Sequence, residues 1–165
     1  MAKIKLKGNP INTSGNLPAK GEKAPDFTLV KSDMGTLSLS EQKGKKVVLS
    51  ISPSFDTSVC ATSVRKFNQM AAGKTNVVVL AITKDLPYAQ VRFCSTEGIT
   101  NVIALSGFRD FAFGKSYGVE IIDGPMAGLY ARSIVVVDEK GNVVYTQLVP
   151  ETTQEPDYDA ALAAL

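Results

Sequence analysis

Two cysteines, Cys60 and Cys94, and a complete absence of histidine define the chemistry open to this chain. Without histidine there is no Ser-His-Asp or Cys-His nucleophile system and no histidine-containing metal site. Two thiols are too few for a four-thiolate zinc site within one chain. The sequence carries no GxGxxG or GxxxxGK[ST] pattern to cradle phosphates, no HExxH and no EF-hand loop. What is left is chemistry carried by thiol, carboxylate, hydroxyl, Lys, Arg or Tyr. A thiol acts as a nucleophile in its thiolate form, so the question becomes which cysteine sits where negative charge is favoured.

Cys60 occupies such a place. The β-type run Lys46-Val47-Val48-Leu49-Ser50-Ile51 ends in a proline-punctuated loop, Ser52-Pro53-Ser54-Phe55-Asp56. From Thr57 the apolar spacing changes to Cys60, Val64, Phe67 and Ala71, closed by Gly73. This predicts strand, loop and helix, with Cys60 in the first helical turn. Thr57 at the N-cap is expected to accept a hydrogen bond from the Cys60 N–H, leaving the sulfur near the positive end of the helix dipole. Asp56 works against a thiolate unless its carboxylate points away. Arg132 opens a strongly apolar strand, where a cation is costly to desolvate without an anionic partner, and the Cys60 thiolate is one candidate. The plainer alternatives are a buried inert cysteine and an arginine solvated at a loop end. Arg65, Lys66 and Arg92 read as surface charges.

The elements that must position these groups alternate along the chain. Lys3 to Lys7 alternates polar and apolar before the turn residues Gly8, Asn9 and Pro10, which predicts a hairpin extension over residues 1–17 on the main sheet. A loop from Gly15 to Pro25 leads to strands at Phe27–Val30 and Thr36–Leu39, joined through Asp33-Met34-Gly35, and to a helical turn at Ser40–Lys43. After the Cys60 helix come a strand at Asn76–Ile82, a helix at Pro87–Glu97 stopped by Gly98, a strand at Val102–Leu105 and a helix at Asp110–Tyr117. Arg132–Val137 and Val143–Leu148 form a terminal β-hairpin, and a last helix from Pro156 should bury Tyr158, Ala161 and Leu165. The order implies an α/β fold with a mixed central sheet flanked by helices on both faces, the thioredoxin-like arrangement, as one domain over residues 1–165. Ligands in open α/β sheets bind beyond the carboxyl ends of parallel strands, the edge where Cys60 emerges.

Cys94 falls about seven residues along the helix that starts at Pro87, roughly 10 Å up its axis. Asp85 is the natural cap for that helix. A disulfide needs Cα atoms within about 7 Å, so the two thiols are expected to be neighbours that bridge only after local unwinding. Phe55, Met126 and Leu129 are expected to give the site an apolar wall.

Composition bounds the rest. A balance of 18 basic and 16 acidic residues leaves a formal charge of +2, too little for a nucleic-acid footprint, and Lys3, Lys5 and Lys7 read as a solvated strand face. No apolar run approaches the roughly 20 residues of a membrane span and no hydrophobic signal region opens the chain, so a cytoplasmic protein is expected, with the periplasm left open.

Pro53-Ser54-Phe55-Asp56-Thr57-Ser58-Val59-Cys60 resembles the active-site segment of peroxiredoxins, whose form is Pro, three residues, Thr, two residues, Cys. Ser63-Val64-Arg65-Lys66-Phe67-Asn68, Ala24-Pro25-Asp26-Phe27, Ala131–Asp138, the position of Cys94 and the N-terminal hairpin extend the likeness over the whole chain, toward the atypical two-cysteine, bacterial thiol peroxidase type. The resemblance implies a peroxidatic Cys60 activated by Thr57 and Arg132 and shielded by Pro53. It implies a resolving Cys94, hydroperoxide substrates, recycling by thioredoxin, a homodimer, and no metal, haem or flavin. A thioredoxin-type disulfide reductase is disfavoured because Cys-x-x-Cys is missing. A redox sensor or holdase is the non-enzymatic rival, separable because it needs no turnover with peroxide.

Overall fold

Near-continuous apolar runs, buried on both faces of the sheet, build the centre of the molecule. In the computed structural model, which describes residues 1–165, the strands are β1 (Lys3–Leu6), β2 (Asn9–Asn12), β3 (Thr28–Lys31), β4 (Thr36–Ser38), β5 (Lys46–Ile51), β6 (Val77–Thr83), β7 (Ile103–Ser106), β8 (Ser133–Val137) and β9 (Val143–Leu148). The helices are α1 (Ser58–Ala71), α2 (Pro87–Glu97), α3 (Phe113–Ser116) and α4 (Tyr158–Ala163). Seven strands form one sheet in the order β4-β3-β7-β6-β5-β8-β9. β5, β6 and β7 are parallel neighbours, whereas β8 runs antiparallel to β5 and β9 antiparallel to β8. This is the thioredoxin-like architecture.

The pleat sends successive side chains to opposite faces. Val48, Val79, Ala81, Ala104, Ile134 and Val136 join one cluster with Val64 and Phe67 of α1, Phe93 of α2 and Ala161 of α4. Val47, Leu49, Ile51, Leu80, Ile82, Leu105, Val135 and Val137 join the other with Phe113 of α3, Phe27, Tyr117 and Tyr130. α1 and α2 share a face because β5, β6 and β7 step across the sheet in one direction through right-handed crossovers. Burying each large apolar side chain contributes about 1.5–3 kcal/mol, so these two layers hold the sheet rigid beneath the loops it carries.

Three expectations need correction. The N-terminal hairpin does not extend the main sheet. β1 and β2 form a separate two-stranded sheet, pinned to the rest through the Lys5–Glu151 and Thr13–Ile121 bridges. Lys3, Lys5 and Lys7 are exposed and Ile4 and Ile11 are buried against Ile121 and Ala131, so the alternation serves a local cluster. The helix expected at Asp110–Tyr117 is regular only over Phe113–Ser116. The Asp110 carboxylate accepts from the Ala112 and Phe113 amides and folds the preceding residues into a turn. In α4 only Ala161 is fully buried, while Tyr158 and Leu165 lie half-buried against the α1 face. Gly98 ends α2 in the left-handed conformation, φ 65°, which places no strain on a residue lacking Cβ.

Candidate active site

The register of the sheet, more than any single residue, assembles the site. β8 pairs with β5 so that Ser133 lies opposite Ile51, the last residue of β5. Arg132, one residue earlier, is thereby brought to the edge where the chain leaves β5 for α1. Its Nη1 donates to Cys60 Sγ at 3.1 Å. Its Nε and Nη2 donate to the Thr152 carbonyl at 3.2 and 3.1 Å. Arg132 is only 3% exposed and belongs to none of the ion pairs of the protein. Of its hydrogen-bond partners, the sulfur alone can carry a negative charge. A buried guanidinium needs such a counter-charge, and a thiolate gains from a fixed N–H donor in a site free of competing water.

Cys60 lies in the first turn of α1, as its spacing predicts, but the cap differs. Thr57 is the N-cap by backbone conformation, φ −91° and ψ 144°, and its side chain accepts nothing from the helix. Its hydroxyl instead donates to the Ser54 carbonyl at 3.1 Å. Thr57 and Asp56 are exposed, so the Asp56 carboxylate points away from the sulfur. Pro53 is buried. Cys60 itself is fully covered, with 0% exposure, so a substrate reaches the sulfur only when neighbouring groups yield.

The role of Asp85 also differs from expectation. It does not cap α2, whose N-cap is Leu86 with Pro87 at the first helical position. The Asp85 carboxylate accepts from Ser54 Oγ at 2.7 Å, from the Phe55 amide at 2.8 Å and from Thr83 Oγ1 at 2.9 Å. It thus holds the loop preceding α1. Sequence reasoning singled out Asp85 for a local role because caps are local, whereas two of its partners, Ser54 and Phe55, lie 31 and 30 residues upstream and become neighbours only through the pairing of Ile51 with Ile82.

Thr152 was not among the expected residues, and nothing in its sequence surroundings marks it. It is buried, its amide and hydroxyl both donate to the Lys5 carbonyl, and the neighbouring Glu151 carboxylate accepts from the amides of Lys7 and Gly8. The N-terminal hairpin therefore fixes the carbonyl that orients Arg132. These amide donors, Gly8 foremost, hold the Glu151 carboxyl down at about 2.

Cys94 is half-buried on α2, and burial pushes its thiol above the ordinary range. Both cysteines are free thiols. Phe55 is 2% exposed and packs against Phe93 of α2, the rings tilted by 35° with centroids 5.1 Å apart, whereas Met126 packs against the hairpin cluster. Of the residues expected to line an apolar wall, Phe55 and Met126 thus belong to separate apolar clusters, and Leu129 is half-buried. Of the expected surface charges, Arg65 pairs with Glu97 at 2.6 Å, Lys66 pairs with Glu155 at 3.4 Å, and Arg92 is exposed. No group of three or more Cys, Asp or Glu side chains is arranged to hold a metal ion, and no helix is long and apolar enough to cross a membrane.

Comparison with known proteins gives the same outline. The family model described as Redoxin matches residues 19–162. The thiol peroxidase of Mycobacterium tuberculosis (strain ATCC 25618 / H37Rv) is 59% identical over 165 residues, which is 100% of this chain and 99% of that protein. The thiol peroxidase of Corynebacterium glutamicum is 54% identical over the same span, again covering 99% of that protein. Among solved structures, a peroxiredoxin-like protein from Aquifex aeolicus superposes with a TM-score of 0.93 at 39% identity, covering 99% of this chain and 95% of that one.

Proposed function

The chain belongs to the redoxin family, in its thiol peroxidase branch, and from that premise we propose that it reduces hydrogen peroxide and organic hydroperoxides through Cys60. The observation that carries this reading is the Arg132 Nη1 to Cys60 Sγ contact at 3.1 Å, a buried cation whose only ionisable hydrogen-bond partner is the sulfur. The Cys60 thiolate attacks the nearer peroxide oxygen. An S–O bond forms to the hydroxyl oxygen, the O–O bond breaks, and the departing oxygen takes from solvent the equivalent of the proton that the thiol released, leaving as water or alcohol. Arg132 and the Thr57 hydroxyl supply the donors for charge developing on that oxygen, and Pro53 screens the pocket from solvent. For Thr57 this requires its hydroxyl to turn away from the Ser54 carbonyl when peroxide arrives.

The product is a Cys60 sulfenic acid. Cys94 attacks its sulfur, forming an S–S bond, and hydroxide leaves and takes up the Cys94 proton as water. Full burial of Cys60 and partial burial of Cys94 support a local unwinding before this step. The resulting intrachain disulfide accepts two electrons from a dithiol, which we assign to thioredoxin. We further assign a homodimer in the cytoplasm, on the strength of the resemblance to peroxiredoxins, with sedimentation as the check on assembly.

The test is turnover of hydrogen peroxide and cumene hydroperoxide with thioredoxin recycling. Cys60→Ser should abolish it. Cys94→Ser should consume a single equivalent of peroxide per chain and then stop. Full activity in Cys60→Ser would sink the assignment.

A further inference from the structure

We propose that Asp85 is a positioning residue that latches the Cys60 loop closed and sets the division between peroxide reduction and disulfide formation. The proposal rests on the peroxidase reading above and adds a residue to it. One carboxylate gathers three donors: the Ser54 hydroxyl, the Phe55 amide and the Thr83 hydroxyl. Ser54 and Phe55 lie directly before the first turn of the Cys60 helix. Asp85 and Thr83 lie directly before the Cys94 helix.

Each partner is itself tied down. Thr83 Oγ1 accepts from the Asp85 amide at 3.1 Å and from Gln90 Nε2 of α2 at 3.0 Å, so its own proton is directed at the Asp85 carboxylate. Gln90 is fully buried and also donates to the Leu105 carbonyl at 2.9 Å. The Asp85 carbonyl accepts from Ser106 Oγ, which anchors its backbone to the end of β7. The Ser54 hydroxyl, donating to Asp85, accepts from the Asp56 amide at 3.2 Å. The Phe55 ring rests on Phe93, the residue before Cys94. Asp85 thus joins a rigid sheet edge to the one stretch that must hold still for Cys60 to face Arg132, and must let go for Cys60 to meet Cys94.

A latch of this kind has opposite effects on the two chemical steps. Attack on peroxide needs the Cys60 turn held beside Arg132, with only the groups that cover the sulfur moved aside. Condensation of the sulfenic acid with Cys94 needs the open loop. A side chain that merely stabilised the fold would slow both steps or neither.

The variants follow from the geometry. Asp85→Ala leaves the Ser54 and Thr83 hydroxyls and the Phe55 amide without their acceptor. Asp85→Asn keeps much of the arrangement, because its amide oxygen can accept from Phe55 and Thr83 while its NH2 donates to Ser54 Oγ. Ser54→Ala removes one arm only. Amide exchange on reduced protein, without peroxide, should show the Phe55 and Asp56 amides of Asp85→Ala exchanging on the order of tenfold faster, with Leu80 and Ile82 of β6 unchanged. Rapid mixing with peroxide should show Cys60 oxidation on the order of tenfold slower and disulfide formation from the sulfenic acid faster by a similar factor. Asp85→Asn and Ser54→Ala should fall between Asp85→Ala and the parent in both measurements.

Unchanged exchange at Phe55 in Asp85→Ala overturns the latch. So does a parallel slowing of both chemical steps. Because the exchange measurement uses no peroxide, it decides the latch even where Cys60 of the parent protein proves unreactive and the peroxidase reading fails.

Discussion

Replacing Arg132 by methionine sets stability and catalysis against each other at one side chain. Arg132 is 3% exposed, enters no carboxylate ion pair and directs three N–H groups to the Thr152 carbonyl and the Cys60 sulfur. Methionine fills a similar length with no charge to desolvate, and with a neutral thiol left at Cys60 both charges of the buried pair are gone, a replacement that runs from neutral to about 1–4 kcal/mol stabilising. Against this, the Thr152 carbonyl loses its two guanidinium donors, at a cost of about 1–3 kcal/mol. The terms nearly cancel, so the urea midpoint should stay close to that of the parent. The rate should not. A donor aimed at charge that develops in the transition state is worth about 10²–10³ in rate, or about 2.7–4 kcal/mol. The assay is made in a Cys94→Ser background: peroxide is mixed with reduced protein, quenched at intervals, and the Cys60 sulfenic acid is counted by mass as its dimedone adduct. Arg132→Lys, which keeps the charge and loses the planar fork, should recover only part of the lost rate. An Arg132→Met protein that oxidises within about threefold of the parent would refute the reasoning. So would a loss of rate accompanied by collapse of the fold, since Arg132 would then be a structural cation.

Two further predictions concern the scaffold behind Arg132. The Glu151 carboxyl titrates at about 2 in the folded protein against an ordinary value of 4.5, chiefly because the Gly8 and Lys7 amides bind its charged form. Its stabilising contribution is therefore complete above about 4.5 and drains away as pH falls toward 2. Glu151→Gln should be less stable than the parent at neutral pH and should flatten the fall of urea midpoints between about pH 5 and 2; parallel curves for the two proteins would count against the clamp. Gly118 has φ +67°, and a Cβ there would strike the backbone of Asn16. Gly118→Ala should cost roughly 2–5 kcal/mol from left-handed strain and overpacking together. Gly128→Ala, at φ +92° with open space around it, should cost only the strain, and equal losses at the two positions would show that the Asn16 contact is immaterial.

Much of the site was legible because it is local. A strand ending at Ile51, a proline loop and a helix starting beyond Thr57 follow from short-range periodicity and cap chemistry, and they put Cys60 in a first helical turn without reference to anything distant. α2 begins at Pro87 and ends at Glu97 as expected, because Pro at a first turn and Gly at a last one act within a few residues. Asp85 shows where such reading stops. Its sequence neighbours make it a helix cap, but a carboxylate goes to the donors that need it most, and the Phe55 amide and Ser54 hydroxyl, drawn close by strand pairing, outbid the helix end. Thr57 likewise turns its hydroxyl to Ser54, and the N-terminal hairpin prefers a sheet of its own.

The amino-acid order by itself narrowed which atoms could react: with no imidazole the histidine-assisted nucleophiles are gone, two thiols remain among the candidates, and the change of period at Thr57 decided which thiol begins a helix. Only the tertiary structure decided what faces that thiol. Arg132, Thr152 and Asp85 reach the Cys60 region through antiparallel register, through a hairpin bridged to the far terminus and through parallel pairing with β6, and each of these is fixed by hydrogen bonds between residues far apart in the chain. Local sequence can state a preference for helix or strand, but which side chain meets which across a sheet follows from the register that buries both faces at once.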